Sequence, residues 1–186
     1  MPASVIPVRG LYLGFVGNVS NEGYSLRKPR LVKASDPNPI VFGETLTLNS
    51  DNTYSSIKSF VAASGTVTAG MALGIAASNV NINPAYNTQG SAGANTPGGK
   101  YNQGEICDAL LQGTVNVYCA NGTPVAGGNV YLRTALNGAI PNGVIGSLEA
   151  AADGGNSVLL TNLKWSTGYL ETDGTCQVTI LARTIA

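Results

Sequence analysis

Tyr101-Asn-Gln-Gly-Glu-Ile-Cys-Asp-Ala-Leu-Leu-Gln-Gly-Thr-Val-Asn-Val-Tyr-Cys-Ala-Asn-Gly-Thr-Pro-Val-Ala-Gly-Gly-Asn-Val-Tyr-Leu-Arg-Thr134 reads as three short strands joined by glycine turns. Val115, Val117 and Cys119 alternate with Thr114, Asn116 and Tyr118. Val130, Leu132 and Thr134 alternate with Tyr131 and Arg133 in the same way. A period of two belongs to strands, whose successive side chains point to opposite faces. Between the two alternating runs, Asn121-Gly122 predicts a hairpin turn, because both residue types tolerate positive φ.

The same signals extend outward. Asp173-Gly174 separates Tyr169-Leu-Glu-Thr172 from Thr175-Cys-Gln-Val-Thr-Ile-Leu-Ala182 and predicts a second hairpin. Upstream, Leu46 and Leu48 alternate with Thr45, Thr47 and Asn49, the pattern of a half-buried strand. The segment Val61 to Ala77 contains Gly65, Gly70 and Gly74. Each glycine costs a helix about 1 kcal/mol, so two strands and a turn are expected there. Val144 to Ala152 is the one candidate for a short helix, closed by Gly154. Residues 83–104 form a long Gly/Asn-rich loop with little to bury. Short strands with no βα alternation predict an all-β fold, a jelly-roll-like sandwich or small β-barrel. Residues 1–33 read as an extended N-terminal arm and first strand, and residues 34–186 as a single β-rich body.

Composition narrows the function. At 186 residues the chain can bury roughly 70% of its unfolded surface, so neither a disulfide nor a metal is needed to hold it. Charged residues are 11% of the chain, against about 25% in ordinary soluble domains. The ten basic residues balance ten acidic ones, which leaves no global footprint for nucleic acid or for an anionic membrane. No opening segment has the pattern of a signal peptide and no apolar run has the length of a spanning helix, so synthesis in the cytoplasm is expected. Cys107, Cys119 and Cys176 lack CxxC spacing and read as buried structural thiols.

Histidine is absent, which removes the commonest general base and the usual zinc ligand together. Asp108, Glu149, Asp153, Glu171 and Asp173 fall mainly in turns or beside them, and no phosphate, dinucleotide or calcium motif is present. No catalytic, cofactor-binding or metal-ligating residue is therefore assigned. A paired-carboxylate hydrolase stays as a minor reading.

The one charge cluster is Arg27-Lys-Pro-Arg-Leu-Val-Lys33. It reads as a solvated face, as a docking patch for an acidic partner, or, least of all, as a nucleic-acid contact. Residues 1–33 hold five of the ten basic residues and a single acid, Glu22, which keeps docking as a reading beside the ordinary solvated face. The docking candidates are Tyr12, Phe15, Arg27, Lys28, Arg30 and Lys33, since a basic arm with aromatic residues suits strand addition or draping over a partner. Tyr54, Tyr86 and Tyr101 lie in or near loops, where they serve an interface or stack on a sugar.

Over most of its length the chain resembles the structural cementing (decoration) proteins of tailed-phage capsids. The resemblance rests on an ordered series of blocks. They are Gly17-Asn-Val-Ser-Asn-Glu-Gly23, Pro39-Ile-Val-Phe-Gly43, Leu73-Gly-Ile-Ala-Ala77, and Tyr101 to Gly113 followed by Thr114-Val-Asn-Val117. Gly122-Thr-Pro-Val-Ala-Gly-Gly-Asn-Val-Tyr-Leu-Arg-Thr134, Trp165-Ser-Thr-Gly168 and Cys176-Gln-Val-Thr-Ile-Leu-Ala-Arg183 complete it. The resemblance implies a non-enzymatic protein, without cofactors, on the capsid exterior of the virion and made in the bacterial host cytoplasm. Its implied partners are the phage major capsid protein and itself, as a homodimer or homotrimer, with no nucleic acid and no membrane. Truncation of residues 1–33 is then expected to abolish capsid binding without unfolding the body. The alternative is a carbohydrate-binding β-sandwich of a phage fibre or adsorption module, using Tyr86 and Tyr101.

Overall fold

The computed structural model describes residues 15–20, 24–64, 67–78 and 99–182. The strands are Leu26–Leu31 (β1), Ile40–Val41 (β2), Thr45–Leu48 (β3), Tyr54–Ser56 (β4), Gly74–Ala76 (β5) and Lys100–Tyr101 (β6). They continue with Ile106–Tyr118 (β7), Asn129–Arg133 (β8), Leu148–Glu149 (β9), Ser157–Leu170 (β10) and Thr175–Ile180 (β11). One helix, Ile57–Ser64 (α1), follows β4 directly. Nine strands form one curled sheet in the order β4-β3-β5-β7-β11-β10-β8-β9, with β1 added on β7; β2 and β6 form a separate ribbon. The all-β, barrel-like class expected from the sequence is what the chain adopts.

β7 organises the molecule. Its first half pairs with β1 and β5, and its second half pairs with β11. The division falls at Gly113, whose φ of +124° lies in the region only glycine enters without strain. A side chain there would also meet Ser25 at 3.2 Å. Gly113 therefore bends a single 13-residue strand where the sequence reading broke it into shorter ones.

Alternation along β7 feeds two cores. Cys107, Ala109 and Leu111 pack with Val32, Leu46, Tyr54 and Tyr101. Val115, Val117 and Cys119 pack with Val130, Leu132, Leu160, Trp165 and Val178. The first core is enclosed because Val32 pairs with Tyr54, bringing the run β1-β7-β5-β3-β4 back on itself. Tyr54 reinforces this closure: its hydroxyl donates to the Lys28 carbonyl at 3.0 Å. Residues 15–20 line the second half of β7, with the Gly17 amide donating to the Asn116 carbonyl at 2.7 Å. All three cysteines are buried and unbridged. Burial pushes the Cys107 thiol well up.

One local expectation holds and several others are corrected. The Asp173-Gly174 hairpin joins β10 to β11, with Gly174 at φ +85° and the Asp173 carboxylate accepting the Thr175 amide. Asn121-Gly122 does turn, at φ +81°, but it makes no hairpin, because β8 pairs with β10 and β9. The Ala150 amide donates to the Asn121 carbonyl instead, tying the turn to the residue that follows β9.

The segment expected as two strands contains the end of α1, a single 3-10 turn at Ala69–Met71, and β5. The helix begins before Val61 and ends before Gly65. Ile57, Phe60 and Val61 supply one apolar face at helical spacing. Conversely, the helix expected at 144–152 is a loop entering β9. β3 is buried on both faces, since Thr45 and Thr47 are covered as well as Leu46. Of the long 83–104 loop, residues 83–98 lie outside the described residues, and its end forms β6 and the turn before β7.

Candidate functional site

The basic run becomes β1 and the two residues after it. Extended backbone sends neighbouring side chains to opposite faces, so the cations do not form one cluster. Arg27 pairs with Asp108 at 3.3 Å. Arg30 donates to the Asn52 carbonyl at 3.2 Å and lies 5.8 Å from the centre of the Tyr54 ring. Lys28 is exposed, and Lys33 is half-buried, its amide donating to the Tyr54 carbonyl at 2.9 Å. Asp51, held below the usual carboxylate range chiefly by the Thr53 hydroxyl, also feels the Lys33 charge. Leu26 and Leu31 on β1, and Ile106 opposite Leu31, are exposed beside these cations. Among the described strands β1 pairs only with β7. Cations and a proline on such a strand also keep it from pairing indiscriminately.

Of the two aromatic candidates, Phe15 is 63% exposed. Tyr12 lies outside the described residues. Val16, next to Phe15, lines a cleft of about 400 Å³ together with Val41, Phe42, Tyr118, Val144 and Leu148. Its charged groups are already engaged. Glu44 pairs with Lys58 at 2.9 Å and accepts from Ser56 at 2.6 Å. The Asp173 carboxylate holds the Thr175 amide at 2.9 Å.

A third feature escaped the sequence reading. Arg133 alternates onto the face that should be wet, yet both it and Glu149 are completely buried. The guanidinium donates through Nε and Nη2 to the two Glu149 oxygens, and through Nη1 to Asp153 at 2.8 Å and the Ala135 carbonyl at 3.1 Å. Asn137 donates to both Asp153 oxygens, at 2.9 and 3.0 Å. Asn137, and then Arg133, hold the Asp153 carboxyl below its ordinary range. The residues between β8 and β9 are gathered around this centre, with the Gly146 amide donating to the Arg133 carbonyl at 2.9 Å. A side chain on Gly143 would collide with the guanidinium at 2.4 Å.

Among the carboxylates singled out in the sequence, Asp108 pairs with Arg27, Glu149 and Asp153 pair with Arg133, and Asp173 holds its own turn. Tyr101 is 2% exposed, and its hydroxyl donates to the Ala77 carbonyl at 2.7 Å, so it presents no face to a sugar. Tyr86 lies outside the described residues. Among the described residues no group of three or more His, Cys, Asp or Glu side chains is placed to hold a metal ion. No described helix is long and apolar enough to cross a membrane.

The sequence matches the family model described as structural cement protein (E217 gp24/Pam3 gp6) over residues 8–181. The chain belongs to the structural cement protein family. A solved structure, the capsid of Myoviridae phage XM1, contains a chain of similar fold, with a TM-score of 0.61 and 11% identity, covering 91% of each chain. No curated protein matches the chain. Membership assigns a capsid-stabilising structural role, association with capsid proteins, and a place in the virion.

Proposed function

We propose that the protein binds the outer surface of the assembled capsid and bridges neighbouring major capsid protein subunits, stabilising the expanded head. The family match across residues 8–181 is the observation that carries this reading. A ligand that binds only the assembled shell stabilises it by mass action, by about 2.7 kcal/mol at a hundred times its dissociation constant. Repetition around the shell multiplies a modest contact at each site. The protein acts there as a non-enzymatic homodimer or homotrimer, made in the host cytoplasm, and contacts neither nucleic acid nor membrane.

Docking falls to the N-terminal region, through Tyr12, Phe15, Arg27, Lys28, Arg30 and Lys33. Lys28 is the exposed member of the basic run and the first that an acidic capsid surface would meet. Deletion of residues 1–33 no longer isolates docking from folding. It would strip β1 from β7 and remove Val32, whose pairing with Tyr54 closes the first core. The test is instead Lys28→Glu, alone and with deletion of residues 1–14, in co-sedimentation with undecorated heads. Weakened pelleting at low salt with an unchanged melting temperature supports docking through this region. Full pelleting by the combined variant overturns it.

A further inference from the structure

The sheet brings two of the three cysteines together at the end of β7. Cys176 on β11 stands opposite Val117, and the Cys119 amide, one residue past β7, donates to the Gly174 carbonyl at 2.9 Å. That register makes Cys119 and Cys176 diagonal neighbours on one face, and both side chains enter the second core. Cys107 lies in the other core. The Cys119 thiol donates to the Asn121 carbonyl at 3.4 Å, and the Cys176 thiol to the Val117 carbonyl at 3.6 Å. Cys176 is sealed, whereas Cys119 is 7% exposed, so a small oxidant meets Cys119 first. The Cys176 thiol, as hydrogen-bond partner, is the main influence holding the Cys119 thiol below its ordinary value, against the opposing effect of burial.

We propose that Cys119 and Cys176 are a reversible redox pair, which hydrogen peroxide oxidises to a disulfide that fastens the end of β7 to β11. The Cys119 thiolate attacks one peroxide oxygen and the O–O bond breaks. The departing hydroxide takes up the proton that the thiol gave, leaving as water, and Cys119 becomes a sulfenic acid. The Cys176 sulfur then attacks the Cys119 sulfur, its proton joins the leaving hydroxide as a second water, and the S–S bond forms. Two thiols give up two electrons in all, and one peroxide is reduced to two waters. Diagonal neighbours stand about 7–8 Å apart at Cα, against about 4.4–6.8 Å for an ordinary disulfide, so the bridge is strained. Cys119 lies past the end of the ladder between β7 and β11 and leads into the Asn121-Gly122 turn, so it is the end that gives. Strained disulfides have the higher potentials of labile ones, which makes this bridge readily reduced again. While intact it closes a loop that carries β8, β9 and β10, and so restricts the unfolded chain.

The experiment treats the reduced full chain with hydrogen peroxide, then unfolds it and alkylates the remaining thiols for mass spectrometry. Untreated protein should take up three alkyl groups, one at each cysteine. Treated protein should take up a single one, at Cys107, and show Cys119 linked to Cys176 after digestion. A dithiol reductant should restore all three thiols. The bridged form should melt on the order of 5 °C or more above the reduced one. In Cys176→Ala, Cys119 should stop at the sulfenic acid and be trapped by dimedone, a response that a packing role alone does not produce. Three alkylated cysteines, after a treatment that does oxidise the urea-unfolded chain, overturn the proposal. Cys107 oxidised as fast as Cys119, or Cys119 carried on to a sulfinic acid with Cys176 still free, overturns it equally.

Discussion

Replacing Arg133 by alanine tests the buried ion centre most sharply. Arg133 and Glu149 are both fully buried, and the guanidinium supplies both Glu149 oxygens with donors. Removing it leaves a carboxylate in the core without its counter-charge. Breaking such a pair from one side costs about 3–5 kcal/mol, because the surviving charge is neither solvated nor compensated. For a chain of this size each kcal/mol shifts the melting temperature by about 2–4 °C, so a fall of roughly 6–20 °C is expected. The double variant Arg133→Met/Glu149→Leu removes both charges and keeps apolar volume, and should recover most of that loss. Urea unfolding of the parent, both single variants and the double variant gives the coupling directly. A single variant costing less than about 1 kcal/mol, or a double variant as unstable as the singles, would refute the reasoning.

Other outcomes follow from the same geometry. Gly113→Val should destabilise by about 1–3 kcal/mol in urea unfolding, since a β-branched residue is strained at φ +124°. Asp153 titrates below the usual carboxylate value, so its contribution is present above the unfolded value of about 4 and is lost as pH falls through the lower folded value. Asp153→Asn should therefore flatten the acid limb of stability, read as urea midpoints between pH 7 and pH 2.5; an unchanged slope would count against it. Tyr101→Phe leaves the buried Ala77 carbonyl without its donor and should cost about 1–2 kcal/mol without altering the response to a glycan panel.

Much of the class was legible in the sequence, and particular residues show why the rest was not. Alternation through Val115, Val117 and Cys119 identified a strand because both of its faces are set by period-two chemistry. Asp173-Gly174 identified a hairpin because the turn itself joins adjacent paired strands. Asn121-Gly122 carries the same local signal, but whether the flanking strands pair depends on β10 and β9 competing for β8, which no short window records. Gly113 looked like a strand end, whereas tertiary pairing on both sides turns it into a bend. The helix α1 was hidden by glycines that follow it. Arg133 could not be recognised as buried, because its acids come from Glu149 and Asp153, in and beyond another strand. The basic run was legible as a cluster of residues, but only the strand geometry showed that alternation and local partners disperse its charge.

The measurement that bears most directly on the account is co-sedimentation of the purified protein with expanded, undecorated heads of the phage that encodes it. The account predicts saturable binding at a fixed ratio to the major capsid protein, and decorated heads that withstand higher temperature than bare ones. Pelleting no greater than that of a control protein, with no change in the heat resistance of the heads, would contradict it.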